Sequence, residues 1–450
     1  MSDEIELEGE WVMGWPDRKR ARVMPSKDAE GRTIFARSPV LDLEGVLTPT
    51  DAYYVIAQLN MPDPVHPDDF SFSIGGMVDN PVEYTLEEIR KFPGRTVRAV
   101  TECAGNDGEF WDYIDEEKNS PKPSLRDAQA EEGGWRQSGD GEDALDIQNI
   151  LASIPTTGLV SGGEWTGVPF KTVLELAGIQ EGAVSVALHG WDEGRPDPVT
   201  QYLSVGRTDF DVVDPGIINY SKAMPIEKAL HEDTILAWAH NGEYLTHVHG
   251  APLRLVVPGW AGNWWVKWID RIEVLDHTPD FYYQTHYFVS GKSPDDPDKK
   301  PMKVLGVKAL ITSPRDEDGP IKCGSHAITG RTWSGEGAVV RVEISTNGGE
   351  SWNDATIEES NDRWLWRRFH YVWDVTEPGE YKIMARGIDE KDRVRPTWDW
   401  NFQRKHFEVN NRTWMCNVSH SNTPRRHRCA DALEPINTEP SEPQKQSGSR

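Results

Sequence analysis

Apolar positions run along this chain in two rhythms. In the first half, Tyr53 to Leu59 is apolar and strand-prone, Phe70-Ser-Phe-Ser-Ile74 alternates with period two, and Val184 to Leu188 reads as a buried strand ending at His189. Helical spacing interrupts these strands. Thr85-Leu-Glu-Glu88 is a capping box, which predicts a short helix to about Lys91, stopping before Pro93. Val173, Leu174, Leu176 and Ala177 predict a helix over 170–177 with Gly178 as its stop, and Pro225 opens another short helix to Leu230. Asn241-Gly242 predicts a tight turn. After about Lys308 the pattern changes to short strands only. Val340, Val342 and Ile344 alternate, Asn347-Gly-Gly349 closes a hairpin, and Tyr381, Ile383 and Ala385 alternate again.

These elements predict an α+β domain over 46–305 followed by an all-β, immunoglobulin-like sandwich over 306–410. Residues 1–45 read as an irregular polar arm lying over the body, and 411–450 as a polar tail. Two insertions are expected in the first domain. One is acidic, over about 112–147, a solvated loop or a lid; the other is a loop over about 194–220.

Composition narrows the classes. A chain of 450 residues exceeds one typical core, which agrees with two domains. A formal charge of -26 argues against nucleic acid or an anionic membrane surface as partner. No apolar run approaches the ~18 residues that span a bilayer. The acidic start has neither a basic nor an apolar leader segment, so the cytoplasm is expected, or the periplasm if a leader was removed. Four cysteines (103, 323, 416, 429) are too few for a disulfide framework. Cys416, His420, His427 and Cys429 match no zinc spacing and read as separate side chains.

Two stretches carry candidate chemistry. In Ala99-Val-Thr-Glu-Cys103-Ala-Gly-Asn-Asp-Gly108 a strand ends in one cysteine and a Gly/Asn turn, which holds a thiol rigidly at a strand end. A thiolate is a soft ligand suited to a transition metal. Residues 235–275 bring His249, Arg254 and Lys267 together in Gly-rich segments, donors suited to a phosphate in a chain otherwise strongly negative.

Taken in order, Glu102-Cys-Ala-Gly-Asn106, Gly163-Glu-Trp-Thr-Gly-Val168, Asn241-Gly, His249-Gly-Ala-Pro-Leu-Arg254, Val257-Pro-Gly-Trp-Ala-Gly262 and Val266-Lys-Trp268 resemble the sulfite oxidase family of molybdenum enzymes. Val340 to Trp352 resembles that family's dimerisation domain. The resemblance covers about residues 45–408. It implies a molybdopterin-binding domain, molybdenum and molybdopterin as cofactors, Cys103 as the protein thiolate on molybdenum, and a homodimer. It also implies that His249, Arg254, Trp265, Val266 and Lys267 hold the molybdopterin phosphate and pterin, with Asp192 as a further pterin contact. Tyr287, in Gln284-Thr-His-Tyr287, would be the pocket tyrosine that donates to substrate oxygen.

The family lines its substrate pocket with arginines, as an oxyanion requires. Here Ile56, Asp107-Gly108 and Gln403 stand at the corresponding places, with Arg404 one residue along and Arg136, Arg195 and Arg207 in the insertions as possible replacements. The expectation is therefore oxygen-atom transfer to a sulfur compound other than free sulfite, such as an organosulfur molecule or a thiol-linked sulfur on a carrier protein. The alternatives are a reductase of an S-oxide, N-oxide or nitrate, and a non-catalytic scaffold. No haem-attachment CxxCH and no flavin or nicotinamide fingerprint is present, so electrons are expected to leave to a separate cytochrome or partner subunit.

Overall fold

Period-two segments of the first half pair into two sheets whose facing sides bury the apolar positions. The computed structural model describes residues 21–25, 32–104, 106, 158–196, 213–290, 297–315, 321–379, 381–393 and 414–416. The acidic insertion at about 112–147, residues 197–212 of the second insertion, and His420, His427 and Cys429 lie outside these.

In one sheet the order is Glu243–Tyr244, Ile235–His240, Val160–Pro169 and Arg95–Glu102, with Arg254–Val256 also paired to Ile235–His240. In the other it is Val82–Thr85, Ser71–Gly76, Ile269–Leu275, Ser185–Gly194 and Ile218–Pro225. This second sheet is antiparallel except where Ser71–Gly76 meets Ile269–Leu275. The short helices fall where the caps place them. Leu86–Ile89 carries the full Thr85/Glu88 capping box, Phe170–Ala177 ends at Gly178 with φ 77°, and Ile226–Ala229 follows Pro225.

The second domain's strands lie in the order Lys308–Ser313, Gly324–Trp333, Arg367–Val375, Asn353–Ile357, Val339–Ser345, Ile383–Asp389 and Trp414–Cys416. Ile328, Val342, Ile344, Phe369 and Ala385 form its own core. Its Trp333, Leu365 and Trp366 do not join that core; they pack into the first domain's. The Val100 N–H donates to the Trp364 carbonyl at 2.9 Å, and the Trp366 indole to the Val46 carbonyl at 2.6 Å. The second domain therefore lends apolar side chains to the first domain's core while keeping a core of its own.

Four expectations need correction. Val340 is not in the core: a bulge between Val339 and Arg341 turns Val339 inward and leaves Val340 57 % exposed. Tyr53 to Leu59 forms only the two-residue strand Val55–Ile56. The Tyr54 N–H bonds to Ser161 Oγ at 3.1 Å and the Ile56 carbonyl to Lys267, so much of this backbone serves side chains instead of a ladder. Within the arm, Ala21–Pro25 and Arg32–Ala36 form a hairpin whose second strand pairs with Val55–Ile56. Ile218–Tyr220, read as loop, begins the strand that pairs with Ser185–Gly194. Cys323 is disulfide-bonded. Among the described residues no helix is long and apolar enough to cross a membrane.

Candidate cofactor and active site

Cys103 stands one residue past the point where its strand stops. Arg95–Glu102 pairs with Val160–Pro169 up to Glu102↔Val160, and the ladder then gives way to a clamp. The Cys103 N–H donates to the Leu159 carbonyl at 2.9 Å, and Asn106 Oδ1 accepts the Leu159 N–H at 2.8 Å. The Asn106 N–H closes the turn on the Cys103 carbonyl at 3.1 Å. Gly262 brings the next loop against this strand end. Any side chain there would lie 2.3 Å from the Tyr54 hydroxyl and 3.2 Å from the Glu102 carbonyl.

The basic residues converge through another glycine. Gly250 has φ +103°, and a Cβ on it would lie 3.0 Å from Lys267 Cβ and 3.1 Å from Arg254 Cβ. A residue without Cβ at this left-handed corner lets the three cationic segments close on one another. Arg254 donates to the His249 carbonyl at 2.8 Å and to the Trp265 carbonyl at 3.4 Å, with its guanidinium 4.6 Å above the Trp165 ring. Lys267 Nζ donates to the Ile56 and Val248 carbonyls at 3.0 and 3.1 Å and lies 4.0 Å over Trp268. His249 Nδ1 is 2.7 Å from Thr246 Oγ1; a hydroxyl that donates there leaves the ring proton on Nε2.

Burial strips these groups of solvent and shifts them accordingly. Desolvation, with Arg254 nearby, brings the Lys267 ammonium down to about 7. Desolvation raises the Asp192 carboxyl to about 7, against the pull of Lys267. Desolvation by burial brings Arg254 down to about 10, and it remains a cation at neutral pH. Burial also holds His249 well below the ordinary imidazole range. Such a set is costly when it stands alone and is stabilised by an anionic ligand.

One cavity joins the two ends. Its wall includes Cys103, Asp192, His249, Arg254, Trp265, Val266 and Lys267, every cofactor residue expected from the sequence. The wall comes from both sheets, Cys103 and Arg254 from one, Asp192 and Lys267 from strands and loops of the other. Tyr287 does not line it. That ring packs edge-on against Phe288 at 4.5 Å, and it is Phe288 and Tyr220 that stand on the wall.

Sequence reasoning missed Tyr54, Gln58, Tyr220 and Asn263 on the wall, and His240 behind it. Tyr220 was hidden in a segment read as loop. Asn263 had a visible signal: it is the one uncharged polar residue in Trp260-Ala-Gly-Asn-Trp-Trp-Val-Lys-Trp268. His240 stacks flat on Trp165 with centroids 4.1 Å apart, and burial holds its pKa down at about 3, so it is neutral.

The residues fit a molybdopterin. Asp192 Oδ1, His249 Nε2, Arg254 Nε and both amide atoms of Asn263 are buried on this wall without a protein partner, which is what a wall built for a polar ligand leaves behind. Arg254, Lys267 and His249 suit a phosphate, the Asp192 carboxyl suits the N–H groups of a heterocycle, and Cys103 offers one soft ligand. Among the described residues no three His, Cys, Asp or Glu side chains converge on a metal, so a metal at Cys103 would carry most of its own ligands.

Comparison with known proteins points the same way. The model of the oxidoreductase molybdopterin binding domain matches residues 58–129 and 140–283, and that of the Mo-co oxidoreductase dimerisation domain matches 299–420. The sulfite oxidase of Arabidopsis thaliana is 27% identical over 426 residues, 88% of this chain and 95% of that protein. The mitochondrial sulfite oxidase of Homo sapiens is 26% identical over 388 residues, and the chain spans only 60% of its length. The NADH nitrate reductase of Petunia hybrida is 28% identical over 382 residues, 78% of this chain and 36% of that one. Among solved structures, the sulfane dehydrogenase SoxCD from Paracoccus pantotrophus superposes with a TM-score of 0.66 at 26% identity, covering 92% of this chain and 94% of the other.

Proposed function

The chain belongs to the sulfite oxidase family of molybdopterin-dependent oxidoreductases, and from that premise we propose that it oxidises a sulfur compound other than free sulfite. The observation that carries this reading is the wall around Cys103. Where the family places an arginine, Ile56 lines the cavity, and Tyr54, Tyr220 and Phe288 stand on the same wall. The cations on the described wall are Arg254 and Lys267, with His249 beside them, and both donate to backbone carbonyls at the phosphate end. Arg195, a possible replacement, pairs with Asp214 at the surface, 46% of its side chain exposed. Positions 107–108, 136, 207 and 403–404 lie outside the described residues.

A doubly charged oxyanion loses its hydration on entering such a wall and gains few charge-assisted bonds in return. A less charged sulfur compound, or a sulfur atom carried on a thiol, loses less. The likeness to the sulfane dehydrogenase SoxCD supports this class. When bound, the molybdenum cofactor supplies two-electron oxygen-atom-transfer chemistry. The chain's part is to hold the phosphate with Arg254, Lys267 and the His249 Nε2 proton, to orient the pterin with Asp192, to offer the Cys103 thiolate, and to keep the pocket dry with its aromatic wall. We assign Tyr220, whose hydroxyl now donates to the Asn263 carbonyl at 2.7 Å, as a wall hydroxyl that faces the substrate, with Tyr287 behind the wall. The dimerisation-domain match supports a homodimer, and electrons are proposed to leave to a separate subunit or cytochrome.

Steady-state kinetics of the molybdenum-loaded protein test this, with sulfite, thiols, thiol-bound sulfane sulfur, sulfoxides and nitrate as substrates. The expected result is a higher kcat/KM for a thiol-linked sulfur than for sulfite. A kcat/KM for sulfite above all others overturns it. Turnover of nitrate or a sulfoxide with a reduced viologen dye would assign the reverse direction instead.

A further inference from the structure

Directly before the cysteine, Glu102 is fully buried and accepts from three donors. Its Oε1 takes Lys308 Nζ and, at 3.0 Å, Asn106 Nδ2; its Oε2 takes the Trp333 indole N–H, also at 3.0 Å. Lys308 is 2% exposed. Lys308 and Trp333 belong to the second domain, and Asn106 belongs to the turn that closes on Cys103. We propose that Glu102 is a positioning residue for Cys103, through which the second domain holds the metal-ligating turn in place.

Three features support this. Both side-chain oxygens of Glu102 serve as acceptors, whereas a Gln would turn an NH2 toward one of the donors. The network reaches the cysteine by a short path. Glu102 fixes the Asn106 amide, and Asn106 Oδ1 fixes the Leu159 N–H, whose own carbonyl holds the Cys103 N–H. The brace extends along the strand as well. Arg95–Glu102 is the edge of its sheet, and the second domain closes that edge through the Val100 N–H and the Trp364 carbonyl, 2.9 Å apart. Lys308 also neutralises a charge that would otherwise stand buried beside a thiolate. Partners that orient a metal ligand typically change metal affinity by ~10–100-fold when removed.

The proposal rests on the reading of Cys103 as the molybdenum ligand, so the test separates the two. The holoenzymes of wild type, C103S, W333F and the uncharged pair E102Q/K308M are compared for melting temperature, molybdenum retained after dilution, thiolate-to-molybdenum absorption and molybdenum midpoint potential. Loss of the absorption band in C103S is expected, and its persistence there overturns the ligand reading. In E102Q/K308M the band and potential shift and retained molybdenum falls about 10–100-fold, with smaller shifts of the same sign in W333F. A brace that served stability alone would lower only the melting temperature. A wild-type band, potential and molybdenum content in W333F, or in E102Q/K308M where that pair folds, overturns the proposal while leaving the ligand reading intact.

Discussion

Replacing Arg254 by Met removes the one permanent cation at the end of the cavity proposed to hold the phosphate, together with its bonds to the His249 and Trp265 carbonyls. The Met side chain still covers Trp165, over which the guanidinium now lies at 4.6 Å, so packing is largely kept. The donors that face the cavity are lost as well, Nε among them. A charge-assisted hydrogen bond contributes ~1.5–3 kcal/mol, and each ~1.4 kcal/mol is a factor of ten in affinity. Arg254→Met should therefore weaken cofactor retention by about 10–150-fold. Apo-protein stability should hold or rise, because an unpaired buried charge has been removed. Molybdenum per subunit by mass spectrometry after gel filtration, with melting curves of loaded and unloaded protein, reads both effects. A variant that keeps full molybdenum with an unchanged loss rate on dilution would refute the assignment of this end to the phosphate. A collapse of the unloaded protein would show that Arg254 is structural instead.

Other perturbations test separate parts of the site. Gly250→Ala forces a Cβ to 3.0 Å from Lys267 Cβ at φ +103°, a strain of about 1–3 kcal/mol; melting temperature and molybdenum content should fall together, and unchanged values would mean that the turn relaxes freely. Ile56→Arg adds a guanidinium to the pocket wall and should raise kcat/KM for sulfite by at least about tenfold; no change would place the substrate elsewhere. Asp192 is raised by burial to about 7, so between its ordinary value and 7 the folded chain binds the extra proton and stability falls as pH rises. Asp192→Asn should therefore melt higher than wild type at pH 8 in the unloaded protein, the advantage shrinking as pH falls from 7 to 5; an advantage independent of pH would sink that account.

Local signals were legible wherever a few neighbouring residues decide the outcome. The Thr85/Glu88 box, the Gly178 stop and the turn at Asn241, with φ 52°, follow from capping and backbone sterics within one helical turn. The cysteine at its strand end and the basic Gly-rich segments were equally local, and seven of the eight expected site residues stand on one cavity wall.

What the sequence by itself determined, then, was the chemistry on offer: one thiol, a basic cluster, two domains and their order. Tertiary structure alone decided which groups meet. The Val339 bulge depends on pairing with Ile383–Asp389, Tyr220 reaches the cavity because its strand joins Ser185–Gly194, and Glu102 meets Lys308 across 206 residues. Pairing between strands far apart in the chain is set by which registers bury apolar faces and satisfy buried polar groups together, and no short stretch contains that information.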